Sequence, residues 1–446
     1  MPASPLDSAM FRELFGDAEA GRLFTDTAEV RAMLLVEGAL AKAQGGLGVI
    51  PEVSAAFLHR ACHEVQIDPA GLAAQTGNDA VCVPALVAAT RKALEAPEHA
   101  QYLHWGATSQ DIMDTALILR LRQALAICEA RLVVTVTALG QLAQAHAGTP
   151  MTGRTYGQAA TPTSFGAVVA SWGMPLIRHL ERLNELRPRL LTVSLSGAAG
   201  TLGAMGEKGP EVRAELARLL GLADPGASWH ATRDGIAECA GWLAGVSATL
   251  GKLGEDLVTL TQSGIEEIAL PTGGGSSTMP QKVNPVAPSL LVALARQAVG
   301  LNANVQGAAV HQAQRDATAW LVEWMSLPQL VLGTARGLAV ALALAEGIAP
   351  RTDRMLETLE GGLGLIHAEA LSFLLAREMP RPEAQAAVKA LAKEARATGT
   401  PLAELAAQRW PGTDWAAALA PEAQLGQAPA EARAFAAMAA ALPRPS

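Results

Sequence analysis

Aromatic residues are scarce in this sequence, at 4% of the chain with two tyrosines, although half of all residues are hydrophobic. Alanine and leucine supply most of the apolar side chains. Strands favour β-branched and aromatic residues, whereas alanine and leucine have high helix propensity. The composition therefore predicts helices rather than sheets, and the length of 446 residues predicts two or three domains.

The chain also lacks an excess of positive charge. Its 34 lysines and arginines are outnumbered by 42 acidic residues, which gives a formal net charge of -8. A general binder of nucleic acid needs a basic face, so that class is excluded, although local Arg and Lys side chains can still bind small anions. The four cysteines show no CxxC spacing. We expect buried free thiols in a reducing cytoplasm.

No targeting segment, membrane span or cofactor motif is evident. The first residues show no basic region followed by an apolar one, and no uninterrupted apolar run reaches about 18 residues, so we expect a soluble cytoplasmic protein. His59 and His63 are four residues apart but lack the partners of a metal site. The glycines of Gly361–Gly364 follow no strand and do not form a dinucleotide fingerprint. We expect neither a metal nor another cofactor.

Long helices dominate the middle of the chain. Five helical stretches far exceed the average globular helix of about 11–12 residues, which is typical of a bundle or an oligomer core. Shorter helices flank them, such as one from Ala28 to Gln44, for which Asp26 and Glu29 have the spacing of a capping box. We expect an N-terminal helical domain at residues 1–111, a long-helix bundle domain at 112–350 and a small C-terminal helical domain at 351–446. The five stretches are Met113–His146, Ser164–Leu191, Ala231–Glu267, Pro288–Ala309 and Arg315–Ala345, the last expected to bend at Pro328.

One segment between two of these helices is not explained by packing. Gly273–Pro285 contains three glycines, two serines, two prolines, one lysine and one asparagine. Such a loop inside a helical protein is more often functional than not. Its hydroxyl, ammonium and amide groups suit a carboxylate ligand, whereas the simpler alternative is a flexible connector.

Other breaks in the helical pattern carry polar groups. In His104–Asp111, a Thr-Ser pair can donate hydrogen bonds to a carboxylate and Asp111 can cap the following helix. Two further segments, Trp229–Asp234 and His311–Asp316, each end in Arg-Asp. For both aspartates we favour a cap or an ion pair. Arg233 and Arg315 are candidates for binding a substrate anion, with a local ion pair as the alternative.

The residues Gly275–Pro285 match every fixed position of GSSxMPxKxNP, and the chain thereby resembles the fumarase/aspartase superfamily. His104–Asp111 is similar to the TSxD region of that superfamily, whose Thr-Ser pair grips a substrate carboxylate. Gly153–Pro162 is similar to its GRTHxQxAxP region. Tyr156 stands where lyases that expel an amine carry an acid histidine, and a tyrosine is a poor acid at pH 7.

The resemblance implies an all-α, three-domain fold whose long-helix bundle is shared in a homotetramer, with active sites at subunit interfaces. It implies two catalytic residues, Ser276 for proton transfer and Lys282 for stabilising the developing charge, while Asp111 stays structural. The expected ligand is a small polycarboxylate, with no nucleic acid and no membrane partner. The residues expected to bind it are His104, Thr108, Ser109, Arg154, Thr155, Tyr156, Gln158, Ser277, Met279, Asn284 and Arg315.

Within the superfamily the sequence is most similar to the lactonising branch, the bacterial 3-carboxy-cis,cis-muconate cycloisomerases. These form 4-carboxymuconolactone in protocatechuate degradation, the β-ketoadipate pathway of aromatic catabolism. A carboxylate leaving group departs as a stable anion, which suits Tyr156. Gln281 and Val283 depart from the His and Arg expected in the branch, which leaves the substrate open. Tyr156 disfavours the alternative of an adenylosuccinate lyase-type β-elimination enzyme. The intact Ser276, Lys282 and Asn284 disfavour a non-catalytic protein on this fold. The branch resemblance rests on His104–Asp111, Tyr156, Ser196–Leu202, Ser228–His230 and Trp320–Trp324.

Overall fold

The N-terminal part of the chain is helical in the computed structural model, which describes residues 4–275 and 278–443. In the longest of these helices, Thr25 is the N-cap and its hydroxyl accepts a hydrogen bond from the Ala28 N–H at 3.2 Å. The predicted helix is confirmed, but it begins at Asp26, because Thr25 rather than Asp26 supplies the cap. The helices are α1 (Arg12–Phe15), α2 (Ala18–Gly21), α3 (Asp26–Gly46), α4 (Glu52–Glu64), α5 (Ala73–Asp79), α6 (Val83–Leu94) and α7 (Pro97–Ala100).

The five long helices predicted from the sequence are confirmed, and a hairpin and short strand pairs connect them. Thr108 precedes the first of these helices as its N-cap position. The elements are α8 (Ser109–Ala145), β1 (Pro150–Thr155), β2 (Gln158–Ser164), α9 (Phe165–Leu190), α10 (Gly209–Leu220), α11 (Asp234–Leu260), β3 (Ile268–Ala269), β4 (Gly274–Gly275), β5 (Val283–Asn284), α12 (Val286–Ala308) and α13 (Ala317–Gly347). Strand pairing is antiparallel, β1 with β2, β3 with β6 and β4 with β5.

Shorter helices follow, as predicted for the C-terminal part of the chain. They surround a small apolar core that includes Leu371, Leu391, Leu402 and Trp415. The elements are β6 (Ala349–Pro350), α14 (Thr352–Glu360), α15 (Ala368–Leu375), α16 (Arg381–Thr398), α17 (Leu402–Arg409), α18 (Trp415–Ala418) and α19 (Ala428–Ala440). The described residues are therefore largely α-helical, and the all-α prediction is confirmed.

Backbone contacts divide the chain into two compact units. Unit 1 comprises the described parts of Met1–Ala130, His179–Ser247 and Leu294–Gly337, and unit 2 comprises those of Arg131–Arg178, Ala248–Ala293 and Leu338–Ser446. The core of unit 1 is built mainly from α3, α4, α6, α8 and α10 and contains large buried side chains. Each long helix contributes residues to both units. The three-domain division expected from the sequence stays a prediction.

Two glycines in unit 2 show why small residues recur along the long helices. A Cβ atom at Gly173 would lie 2.0 Å from the Phe435 ring, and one at Gly140 would lie 2.6 Å from the Ala439 side chain. Both partners belong to α19. The close packing of α19 against α8 and α9 within this unit therefore requires glycine at these positions.

Three of the long helices are apolar enough, by length and composition alone, to cross a membrane: α8, α12 and α13. The search for uninterrupted apolar runs does not detect these helices, because mean hydropathy over a window tolerates occasional polar residues. In an 18-residue apolar window of α12 only 28% of the residues are buried, against 44% in the corresponding window of α8 and 56% in that of α13. Most residues of this α12 window are thus not buried by their own chain.

The expected buried thiols are found. The described residues include all four cysteines, and none is in a disulfide; Cys62, Cys128 and Cys239 are buried. Burial, the largest cause, raises the pKa of Cys62 and of Cys239 to about 12. These two thiols therefore stay protonated and unreactive near neutral pH.

Candidate active site

Asp111 organises the N-terminus of α8 in unit 1. The Asp111 side chain is buried, and its Oδ2 atom accepts hydrogen bonds from the Thr108 and Gly197 N–H groups, both at 3.0 Å. Its Oδ1 atom accepts from the Ser196 N–H at 2.8 Å and from His230 Nε2 at 2.7 Å. With Thr108 as N-cap, Asp111 forms one half of a capping box. This arrangement is the structural role expected for Asp111, and it also joins three separate segments, those of Thr108, Ser196–Gly197 and His230.

Gln110 brings a fourth segment to the same place. It is buried; its Nε2 atom donates to the His230 carbonyl at 2.9 Å, and its Oε1 atom accepts from Arg315 Nε at 3.0 Å. Arg315 also donates to the Ala198 carbonyl at 3.3 Å. A guanidinium has five N–H donors, so these two contacts leave donors on the exposed Arg315 side chain for an anion.

His104 is held by a buried acid that was not predicted from the sequence. Its Nδ1 atom lies 2.6 Å from Oε1 of Glu37, whose side chain is 1% exposed. Burial lowers the pKa of His104, but the charge of Glu37 and its hydrogen bond outweigh that effect, and the pKa is raised. His104 also has a φ of 63°, a left-handed conformation that non-glycine residues rarely adopt. The structure therefore presents His104 as a positioned, readily protonated group.

Glu37 could have been suspected from its position on α3. It is an acidic residue among buried apolar side chains such as Val36 and Leu40, and a buried carboxylate is retained only where it is paired. Its partner, 67 residues away in sequence, could not be identified from that signal alone.

Tyr156 lies at the tip of the β1–β2 hairpin in unit 2. Tyr156 and Gly157 both have positive φ, 51° and 72°, as a type I′ turn requires. The flanking Thr155 and Gln158 pair across the hairpin, and all three side chains that were predicted to bind substrate are exposed, Tyr156 completely. The hairpin itself was not predicted, because the overall composition favoured helices. The Tyr-Gly dipeptide is a weak local turn signal.

Arg154 is already paired. Its Nη1 and Nη2 atoms donate to Oε2 and Oε1 of Glu267 at 2.9 and 2.8 Å, and the Glu267 side chain is fully buried. A guanidinium that already makes a bidentate contact with one carboxylate cannot make the same contact with a second carboxylate. In this structure Arg154 therefore ties β1 to the segment before β3, and its predicted contact with substrate stays a prediction.

The signature loop closes on itself. Gly274 pairs with Asn284 and Gly275 with Val283. A Cβ atom at Gly273 would lie 2.1 Å from Cγ1 of Val283, and one at Gly274 would lie 2.6 Å from Cγ2 of Val286. Glycine is thus needed for the two arms to approach. The unexpected Val283 packs at this contact.

Much of the described part of the loop is exposed to solvent. Lys282 and Met279 are exposed, their backbones joined by a hydrogen bond of 3.0 Å from the Lys282 N–H to the Met279 carbonyl, and Asn284 is half-buried. The predicted proton donor Ser276 and the neighbouring Ser277 lie outside the described residues. Among the described residues of the loop, Lys282 and Asn284 are therefore the polar candidates for contact with a substrate, and the pairing of β4 with β5 supports them.

Each unit contains part of the predicted site. The residues in unit 1 are His104, Thr108, Ser109 and Arg315, of which Thr108, Ser109 and Arg315 are gathered around the first turn of α8. The described residues in unit 2 are Arg154, Thr155, Tyr156, Gln158, Met279, Lys282 and Asn284. Over 4–275 and 278–443, no group of three or more His, Cys, Asp and Glu residues is placed to hold a metal ion.

Arg233, weighed above as an anion-binding residue, is buried in an ion-pair network in unit 1. It donates to both oxygens of Asp114, at 2.7 and 3.0 Å, and to both oxygens of Glu323, at 2.5 and 3.0 Å. Its guanidinium also stacks on Trp229, 4.8 Å from the ring centre. The alternative of an ion pair is therefore the one found, although its partners are distant in sequence rather than local.

The profile of a protein family described as lyase matches residues 17–300. The chain belongs to this lyase family. A 3-carboxy-cis,cis-muconate cycloisomerase of Pseudomonas aeruginosa is 40% identical over 402 residues, which covers 89% of this chain and 86% of that protein. A crystal structure of a 3-carboxy-cis,cis-muconate lactonizing enzyme from Pseudomonas putida, 34% identical, has a TM-score of 0.92 and covers 97% of this chain and 99% of its own.

A relative with another activity is similar over much of the same length. An N-acetyl-S-(2-succino)cysteine lyase of Enterococcus italicus is 34% identical over 389 residues, or 86% of this chain and 85% of that protein. The predicted superfamily and its all-α fold are thus confirmed by sequence and by structure.

Proposed function

We propose that this chain is a cytoplasmic 3-carboxy-cis,cis-muconate cycloisomerase, which forms 4-carboxymuconolactone in the degradation of protocatechuate. The observation that carries the proposal is its 40% identity, over 402 residues, to the Pseudomonas aeruginosa enzyme of that name. Two sets of polar groups able to donate hydrogen bonds to a carboxylate support it, one around the first turn of α8 and one on the signature loop. The reaction is an intramolecular addition, so it needs no second substrate.

The chemistry of the step defines what the site must provide. One substrate carboxylate oxygen forms a C–O bond to a carbon of the conjugated diene. The displaced π electrons move onto the neighbouring carbon and its carboxylate, and that carbon then takes up a proton. Ser276 is proposed as the proton donor. Lys282, Asn284 and the Thr108-Ser109 pair are proposed to stabilise the negative charge that develops on the carboxylate, because preorganised donors act most strongly there.

The groups at unit 1 suit a substrate with several carboxylates. The raised pKa of His104 favours an imidazolium, held by the buried Glu37. Arg315 keeps guanidinium donors available beside Gln110. A tricarboxylate that enters this region would meet two cations and the Thr108-Ser109 hydroxyls, which offset its charge.

Tyr156 fits the cycloisomerase better than an amine-expelling lyase. In the reverse direction of lactonisation the leaving group is a carboxylate, which needs no proton to depart. A tyrosine at this position can donate one hydrogen bond, which is sufficient for orientation. Expulsion of an amine requires a proton donor matched to neutral pH, and Tyr156 does not meet that requirement.

The proposed enzyme is a homotetramer in which the His104, Tyr156 and Ser276 regions of one site come from different subunits. Two exposures support this. Tyr156 is fully exposed in the single chain, although a substrate-binding residue must be enclosed. In an 18-residue apolar stretch of α12, 28% of the residues are buried, and Val299 is 63% exposed. Large exposed apolar surfaces mark protein contacts. Subunit contacts along α12 would cover that surface.

An assay with three substrates tests the proposal. Purified protein is incubated with 3-carboxy-cis,cis-muconate, with N-acetyl-S-(2-succino)cysteine and with adenylosuccinate, and the loss of each substrate is measured. Consumption of the muconate with the highest kcat/KM is expected. Faster cleavage of the succinocysteine would favour the second candidate, an elimination of a thiol, which the Enterococcus italicus relative suggests. Faster cleavage of adenylosuccinate would contradict both.

A further inference from the structure

Unit 1 also contains a concave site whose lining is rich in basic residues. A cavity of about 570 Å³ lies between α3, α4, α8 and α10. The described residues that line it include no aspartate or glutamate. We call it the basic pocket, because its lining includes Arg31, Lys42, His59, His63, Arg120 and Arg122.

The positive charge of the basic pocket is only partly neutralised. Arg31 donates to the backbone carbonyls of Cys62 and His63, and Arg122 donates to those of Leu220 and Gly221. A carbonyl satisfies the hydrogen bonds of a guanidinium but carries no charge to cancel it. These contacts therefore hold both arginines in place as cations.

Three carboxylates lie near the pocket without lining it. Glu29 is 3.4 Å from Arg120. Glu215 is close enough for Lys42 to lower its pKa, although its main partner is Arg218. The buried Glu37 is engaged with His104. Within the part of the chain that the structure describes, Arg31, Lys42 and Arg122 have no carboxylate at hydrogen-bond distance, so an excess of positive charge persists in the cavity.

Of the two histidines in the basic pocket, His59 is affected by this positive charge. His59 and His63, four residues apart on α4, pack edge to face with ring centres 4.9 Å apart. Nδ1 of His59 lies 3.2 Å from the Gly38 carbonyl. Burial is the largest cause that lowers the pKa of His59, and the positive charge of Lys42 is the next. A bound anion would act in the opposite direction and raise that pKa.

The floor of the pocket is apolar. Leucines from three helices and from the N-terminal segment line it: Leu23, Leu35, Leu119, Leu219 and Leu220. The volume falls within the 300–1,000 Å³ of small-molecule sites, which combine apolar walls with a few placed polar groups. An inorganic anion would leave the leucines in contact with water, whereas an organic anion would cover them.

We propose that the basic pocket binds a small organic polyanion, with its carbon skeleton on the leucine floor and its carboxylates on Arg31, Lys42, Arg122 and the two histidines. This site is separate from the first turn of α8, which carries Thr108 and Ser109. Leu119 follows Ser109 by ten positions along this helix, and a rise of 1.5 Å per residue separates the two sites by about 15 Å.

The test uses citrate and inorganic phosphate as probes of the full-length protein at constant ionic strength. The pKa of His59 is measured by NMR titration, because binding of citrate at the catalytic residues would leave this ring unaffected. Citrate is expected to raise the pKa of His59 and to bind at least 10-fold more tightly than phosphate. The proposal would be overturned if saturating citrate left the pKa of His59 unchanged. It would also be overturned if phosphate bound as tightly as citrate.

Variants locate the binding. The Lys42→Gln/His63→Gln double variant is expected to lose roughly 10-fold or more in affinity for citrate, the order for losing charged contacts. Arg60→Gln is the matched control, since Arg60 is exposed on the same helix but does not line the cavity, and it should bind citrate normally. Should the double variant not fold, Lys42→Gln alone gives the comparison. Equal affinities in the pocket variant and in Arg60→Gln would refute the site.

Discussion

Tyr156 is the residue on which the choice between two chemistries depends. If the group it faces is a carboxylate, Tyr156→Phe removes one neutral hydrogen bond and should lower kcat/KM by about 10-fold or less. General acid catalysis would make the same change cost about 10²–10⁴-fold. Steady-state kinetics with 3-carboxy-cis,cis-muconate measure the difference. Tyr102→Phe is the control, because Tyr102 is the other tyrosine and lies among the partly buried residues around the core of unit 1.

His104 and Glu37 make a prediction about pH. The pKa of His104 is raised above its ordinary 6.5, since the charge and hydrogen bond of Glu37 outweigh burial. The stabilisation from the protonated pair is therefore fully present below pH 6.5 and is lost as the pH rises through the raised pKa. We expect kcat/KM to fall as the pH rises through the raised pKa of His104.

Glu37→Gln should move this fall to lower pH, because the amide keeps the shape of the side chain but removes its charge. The pH–rate profile and an NMR titration of His104 provide the measurements. An unchanged profile would show that the charge of Glu37 does not act on the reaction.

At the scale of an element, the signature loop depends on two glycines at the crossing of its arms. Gly273→Ala would put a Cβ atom 2.1 Å from Val283, and the strain of such overpacking is about 1–3 kcal/mol. We expect kcat/KM to fall roughly 5- to 150-fold, the equivalent of that energy. Val283→Ala in the same chain should restore most of the activity, since it removes the clashing methyl groups. Failure of this rescue would mean that Gly273 matters for a reason other than space.

The Arg233 network joins the start of α11 to α8 and α13 within unit 1. Both carboxylates that it pairs, those of Asp114 and Glu323, are buried. Arg233→Ala leaves them without a counter-charge, and the expected loss is about 3–5 kcal/mol in the free energy of unfolding. Arg189→Ala is the control. Arg189 also binds a carboxylate, Glu238, but on the surface, so its removal should leave the denaturation midpoint almost unchanged. Equal effects in the two variants would contradict this account.

At the scale of the whole molecule, the shared site predicts complementation between inactive chains. His104→Ala and Ser276→Ala proteins should each lose most of their activity. If the two groups belong to different subunits of one site, mixed and reassembled tetramers should regain about a quarter of the normal activity, because half of the chains supply each intact group. Light scattering checks the assembly. A mixture that stays as inactive as its components, or a fully active monomer, would rule out the shared site.

The sequence by itself determined the long helices, the family and the residues of the signature loop. Helix propensity is local and accumulates over a long window, and the loop is one contiguous stretch, Gly273–Pro285. The same locality explains the misplaced cap of α3, where two adjacent residues could serve and only geometry chose Thr25.

Only the tertiary structure decided how the charged groups of the site are used. Arg154 pairs with Glu267 across 113 residues, Arg233 with Asp114 across 119, and His104 with Glu37 across 67. No local pattern encodes such pairs, because the energy of an ion pair depends on distance and burial in space rather than on spacing in sequence. For the same reason the carboxylate partners of Arg154 and Arg233 could not be identified from the sequence, and neither could the contacts that leave donors available on Arg315.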